Sequence, residues 1–266
     1  MNFKQSQSFQ WKHVKQFNIV QVILAFVLPS LFACVGFRWL LPYLVAQGAP
    51  KILVWPIVAA AMLLILVIIG FFLVNKESQQ LGISLQQRLL FKRIPTKQWM
   101  ISLGVLFVGL AVSAGLSSSV ALFQQLPGLA IPEYMPFWLN PAIDPLQTSL
   151  EVLSPGYPIQ GNYLLLLIMA VALLLNILAE EVYFRAWLLP KMQGFGKWGW
   201  FLNALFFTLY HAFQLWLFPI IFVVSLATTF TVHKTKSILP AFTIHLVANF
   251  LMTVLGLLAL VMGLKS

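Results

Sequence analysis

Glu180 and Glu181 stand side by side in LLLNILAEEVYFRAWLLP, residues 173–190, an apolar stretch that also holds Arg185. Of the six carboxylates in the chain, the other four lie in connecting segments. His211 in FFTLYHAF and His245 in FTIHLVANF also sit in apolar runs. Phe207 precedes the first by four residues, and Asn249 follows the second by four. Ionisable groups in such runs are costly, face the interior of a helical bundle and mark functional sites. A carboxylate in an apolar pocket suits general-base work, so water beside Glu180 and His211 can be deprotonated to attack a carbonyl. His245 and Asn249 can then stabilise the developing oxyanion. The same groups also make a zinc ligand set: Glu180, His211 and His245 would be two histidines and a carboxylate with an open position. The sequence leaves both chemistries open, with zinc or no cofactor at all.

Helical spacing assigns the remaining charges. Glu181 and Arg185 are i,i+4 with the acid first, the favourable order for an ion pair along one helix. That pair is expected to be structural support. Glu180 is turned about 100° from Glu181 around the helix and is free to face the bundle. His245 and Asn249, again i,i+4, share a face, and Phe207 can wall off or orient His211.

The elements that carry these residues are membrane helices. The chain is 61% apolar and only 8% charged, against roughly 25% charged in soluble domains. Hydropathy places spans near 18–37, 52–74, 101–123, 162–189, 199–213, 217–232 and 239–264. The expected fold is therefore an all-α polytopic bundle of seven to eight spans, with the short fifth and sixth as candidates for partial or re-entrant segments. Residues 1–160 are expected to form an N-terminal membrane region, and 161–266 the membrane core that carries the charged cluster. Counting about 1.5 Å per residue, Glu180, His211 and His245 reach similar depth from three separate helices.

The net charge of +10 does not point to nucleic acid, because the basic residues lie in short loops. Lys4, Lys12, Lys15, Lys76, Arg88, Lys92, Arg93, Lys97, Lys191, Lys197, Lys234 and Lys236 fall on one side, and only Arg38, Lys51 and Lys265 on the other. Twelve against three puts the N-terminus in the cytoplasm of an integral membrane protein of the plasma, inner or another internal membrane. The three catalytic candidates then fall in the cytoplasmic half of the bilayer.

The connector 75–100 carries Leu81, Leu85 and Leu89 at i+4 spacing beside a basic cluster, and is expected to be an amphipathic interfacial helix. The connector 124–161 has seven prolines, Glu133, Asp144 and Glu151 but no lysine or arginine. It is expected to be a long irregular loop on the outside. Ala111, Gly115 and Ser119 form a small-xxx-small ladder suited to close helix packing. Trp198, Trp200 and Trp216 are expected in interfacial aromatic belts.

Other membrane peptidase chemistries lack their residues. There is no HExxH, the one aspartate is the loop residue Asp144, and no serine has a GxSxG setting. The single cysteine, Cys34, is far in sequence from the charged cluster and excludes a disulfide framework.

Glu180-Glu181-x3-Arg185, Phe207-x3-His211 and His245-x3-Asn249, in this order on successive helices, resemble the CPBP family. These are the CAAX proteases and bacteriocin-processing enzymes, also called Abi, which include type II CAAX prenyl endopeptidases. The resemblance covers about residues 160–255. It implies a helical intramembrane endopeptidase with a cytosol-facing site, cutting membrane-associated or C-terminal-tail peptides. It also implies that Glu180 activates water with His211, that His245 and Asn249 bind the oxyanion, and that Glu181 and Arg185 support them. Members are described both as metalloproteases and as metal-free glutamic proteases. Ala186 departs from the glycine common after the arginine. Two readings from other classes stand beside this one: a silent scaffold or chaperone of the same family, and a proton-coupled transporter. The expected partners are a peptide or membrane-protein substrate and the lipid bilayer.

Overall fold

A computed structural model describes residues 9–145 and 147–264. Lys4 and Lys265, counted above, lie outside the described residues. Among the described residues all regular structure is helical, and six helices are long and apolar enough to cross a membrane. The chain is a multi-pass membrane protein.

Helix α1 runs Ile19–Ala46 and starts on a capping box, in which Asn18 and Gln21 each accept the other's backbone N–H. Helix α2, Lys51–Leu81, ends where Gly82 takes a left-handed φ of 63°, a conformation that glycine adopts without a Cβ penalty. A single turn, α3 (Leu85–Arg88), leads to α4 (Thr96–Gly115). Helix α5, Tyr163–Ala179, is capped by Asn162 and continues as a nine-residue π-helical segment, Glu180–Leu188. Then follow α6 (Gly199–Tyr210), α7 (Phe218–Thr235) and α8 (Leu239–Val261).

The 48-residue helical stretch Tyr163–Tyr210 is two limbs, not one. Gly196 breaks it with φ 58° and ψ −131°, a left-handed backbone suited to glycine. The chain then returns antiparallel: Asn203 Nδ2 donates to Phe184 O at 3.2 Å, and the Phe207 ring lies 5.1 Å from that of Phe184. Counted by limb the bundle has seven helical limbs, one for each apolar run read from hydropathy. At about 18 Å, α6 is too short for a hydrocarbon core of about 30 Å, so the fifth limb is partial. Gly199 opens it against the backbone carbonyl of Met192, which a Cβ would overlap. Gly199→Ala is expected to cost about 1–3 kcal/mol, as overpacking does, read as a lowered thermal midpoint in detergent.

Four expectations change. The connector after α2 is not an interfacial helix: Gly82 ends α2, Ser84 and Gln87 cap only one turn, and Leu90 adopts φ 60°. Its Arg88, read as a surface charge, is fully buried. The Ala111–Gly115–Ser119 ladder is not a packing seam either, since Ala111 and Gly115 face outward. The buried stripe of α4 is Ser102, Leu106, Gly109 and Ser113, and a Cβ on Gly109 would come within 2.7 Å of Ala227 on α7. Trp216 is no belt residue: it is wholly buried, with its indole donating to Leu139 O at 2.9 Å. Through that bond the proline-rich connector is folded down onto the bundle.

Candidate active site

The π-helical segment carries Glu180, Glu181 and Arg185, all buried. π-helical winding replaces i→i+4 hydrogen bonds by i→i+5 and is often found at functional sites. Here its carbonyls are tied down by side chains from elsewhere. Asn203 of α6 donates to Phe184 O. Arg88 donates from Nη1 to Ala186 O at 2.5 Å and from Nη2 to Trp187 O at 3.1 Å. Glu77 fixes Arg88 in turn, accepting from its Nε and Nη2 at 2.8 and 2.6 Å, from Trp187 Nε1, and from Lys191. Burial pulls the Arg88 guanidinium below its ordinary pKa, and Glu77 opposes that pull. Another π-helical segment, Leu246–Leu251, follows His245 directly and contains Asn249.

The fold brings Glu180, Glu181, His211, His245 and Asn249 together. His211 Nε2 lies 3.5 Å from Glu180 Oε1, and His245 Nε2 lies 3.8 Å from Glu180 Oε2. The Nδ1 atom of His211 is 2.9 Å from Phe207 O. A carbonyl only accepts, so this nitrogen carries the hydrogen. The Phe207 ring meets His211 edge to face at 4.9 Å, as the four-residue spacing suggested.

The expected Glu181–Arg185 ion pair does not form. Glu181 Oε1 faces His245 Nδ1 at 3.1 Å. The Arg185 guanidinium lies 3.6 Å from the centre of the Phe207 ring and donates to Thr228 Oγ1 at 3.4 Å. Side chains at i,i+4 meet under α-helical winding, and the π segment changes that register. Both residues touch members or neighbours of the cluster, Glu181 at His245 and Arg185 at Phe207, instead of each other.

Asn176 joins the cluster without belonging to any of the three motifs. Its Nδ2 donates to Glu180 Oε1 at 2.7 Å, and its Oδ1 accepts from Asn249 Nδ2 at 3.1 Å. The signal was present, as a lone amide in an apolar helix exactly one i,i+4 step before Glu180.

The cluster forms the floor of a cavity of about 770 Å³, within the range of ligand pockets. Its walls are almost wholly apolar and reach Trp138 and Leu139 of the proline-rich connector. Leu28 and Ile65 line it while also being exposed on the outer surfaces of α1 and α2. The cavity therefore runs from Glu180 away from the end of the bundle where Arg88, Glu77 and Lys191 pack together.

A zinc ion would need the two Nε2 lone pairs and a Glu180 oxygen. Asn249 Nδ2 lies against His245 Nε2 at 3.2 Å, and Asn176 holds Glu180 Oε1. Among the described residues, no three His, Cys, Asp or Glu side chains form a group that could hold a metal ion. In the structure those two amides occupy part of the ligand set a zinc ion would use, and every step below is carried by the chain's own residues.

A buried glutamate facing two histidines, set within membrane helices, defines a class of helical membrane protein with a polar site inside the bundle. Residues 162–251 match the family model described as type II CAAX prenyl endopeptidase Rce1-like. The resemblance drawn from the three motifs thus holds over the segment that contains all of them. No curated protein and no solved structure gives a match.

Proposed function

We propose that the chain is an intramembrane endopeptidase in which Glu180 activates water. The observation that carries this reading is the buried Glu180 carboxylate facing two histidine Nε2 atoms at 3.5 and 3.8 Å on the floor of an apolar cavity. The water oxygen attacks the scissile carbonyl carbon as its proton passes to Glu180, and the carbonyl electron pair moves onto oxygen. Glu180 then returns the proton to the departing amine as the C–N bond breaks. His211, anchored through Phe207 O, orients the water. Asn249 serves the oxyanion by exchanging its contact with His245 for one to the developing charge.

The lining suits an apolar peptide segment of a membrane-anchored protein, including a C-terminal tail. The basic loops favour a cytoplasmic N-terminus. The cavity then extends toward the opposite face, so this orientation and the expected cytosol-facing mouth do not go together. Cleavage of a membrane-peptide library by the purified protein, with and without a metal chelator, tests the reading. Cleavage unaffected by chelator is expected. Loss with chelator would restore the zinc alternative, and no cleavage under any condition would favour the scaffold or transporter readings.

A further inference from the structure

We infer that Asn176 is a positioning residue that orients the Glu180 carboxylate and, through Asn249, turns a donor onto His245 Nε2, so that the ring is held from this side in the same tautomer that Glu181 sets at Nδ1. Its catalytic consequence rests on the endopeptidase reading above; the hydrogen-bond assignment does not. The directions of the bonds follow one from another. A carboxylate only accepts, so Asn176 must turn its Nδ2 toward Glu180 Oε1, at 2.7 Å. That leaves its Oδ1 on the other side, where it accepts from Asn249 Nδ2 at 3.1 Å. The amide nitrogen of Asn249 thereby also faces His245 Nε2, at 3.2 Å. An NH2 group only donates, so Nε2 must accept. The hydrogen of the neutral imidazole is then on Nδ1, which donates to Glu181 Oε1 at 3.1 Å.

The chain of bonds starts on one of the adjacent glutamates and ends on the other. It accounts for why both are present without a direct partner in Arg185. It also separates the two oxygens of Glu180. Oε1 is held by Asn176 and lies toward His211, whereas Oε2 keeps its lone pairs on the side of His245, 3.8 Å away. Proton uptake from the attacking water is thereby directed to Oε2, next to the amide that serves the oxyanion. The i,i+4 relation puts Asn176 on the same face of the helix as Glu180, which makes this arrangement available from one rigid element.

Asn176→Leu keeps the approximate shape and removes both hydrogen bonds. A hydrogen bond to a charged group is worth about 1.5–3 kcal/mol, so kcat is expected to fall about ten- to hundredfold with KM nearly unchanged. The second readout is the pair of ring-nitrogen chemical shifts of His245, measured by NMR on protein labelled at histidine nitrogen and assigned with His245→Gln. Because the Glu181 carboxylate by itself holds the hydrogen on Nδ1, the comparison is made in a Glu181→Gln background, where the amide can face Nδ1 with either end. Wild type and Glu181→Gln are expected to show the Nδ1–H form alone, and Glu181→Gln with Asn176→Leu a mixture of the two tautomers. A purely packing role would leave the tautomer unchanged. Unchanged His245 shifts in the double variant overturn the proposal, as does a wild type that carries its hydrogen on Nε2. Should Asn176→Leu fail to fold, Asn249→Leu in the same background cuts the same chain one link later and must give the same mixture. If wild type cleaves nothing while the tautomer responds as expected, the endopeptidase reading falls and the positioning role stands.

Discussion

Glu180→Gln is expected to reduce cleavage by about 10²–10⁴-fold, the usual contribution of a positioned general base, in a protein that still folds. The side chain is isosteric, and its amide oxygen can go on accepting from Asn176 Nδ2, which contacts Glu180 Oε1 at 2.7 Å in the native protein. What disappears is the group that, in the proposed mechanism, takes the proton from water and returns it to the amine. The loss should fall on kcat and on kcat/KM together, because the base acts in the transition state and not in substrate binding. Glu181→Gln makes the contrast. Glu181 faces His245 Nδ1 and takes no proton in the proposed step, so that variant is expected to retain a measurable rate. Single-turnover kinetics on the same substrate separate the two. Equal losses in both variants would mean that the glutamates act as one charged unit, without the division of labour that the geometry describes.

Arg88→Met is expected to be the most destabilising single change outside the cluster, by about 3–5 kcal/mol, the cost of removing one partner from a buried ion pair. Arg88 is wholly buried and makes four hydrogen bonds, two to Glu77 and two to carbonyls of the π-helical segment. Methionine fills much of the volume but leaves Ala186 O and Trp187 O without that donor. Arg88→Lys should recover only part of the loss, since a single ammonium cannot reproduce the planar fork that reaches Glu77 and both carbonyls. Thermal unfolding in detergent measures this. Activity should fall in parallel, because the carbonyls released belong to the segment that carries Glu180, Glu181 and Arg185. A variant as stable as wild type would show that the π segment holds its shape without Arg88.

The parts of this protein that were legible in its sequence are those in which rarity carried the message. Glu180, Glu181, His211 and His245 stand out because an ionisable group in an apolar run needs a reason to be there, and counting along helices was enough to bring them to one depth. The seven helical limbs followed from hydropathy in the same way. Arg88 was hidden for the opposite reason: among Lys92, Arg93 and Lys97 it looks like one more surface charge, and only the tertiary packing of Glu77 and the Ala186 and Trp187 carbonyls shows that it is buried. The Glu181–Arg185 pair failed because π-helical winding leaves no mark on residue spacing. The Ala111–Gly115–Ser119 ladder failed because small residues permit close packing without selecting the face on which it occurs. Gly109, on the neighbouring face, is the residue that meets Ala227.

The central claim is that water activated by Glu180 cuts a peptide bond inside the bundle. Its most direct test is a single-turnover reaction in heavy-oxygen water, with mass analysis of the released peptides from wild type and from Glu180→Gln. The account predicts one heavy oxygen in the newly formed C-terminal carboxylate of the wild-type product, and no product from the variant on the same timescale. Label-free product, or the same labelled product from the variant at the wild-type rate, would contradict it.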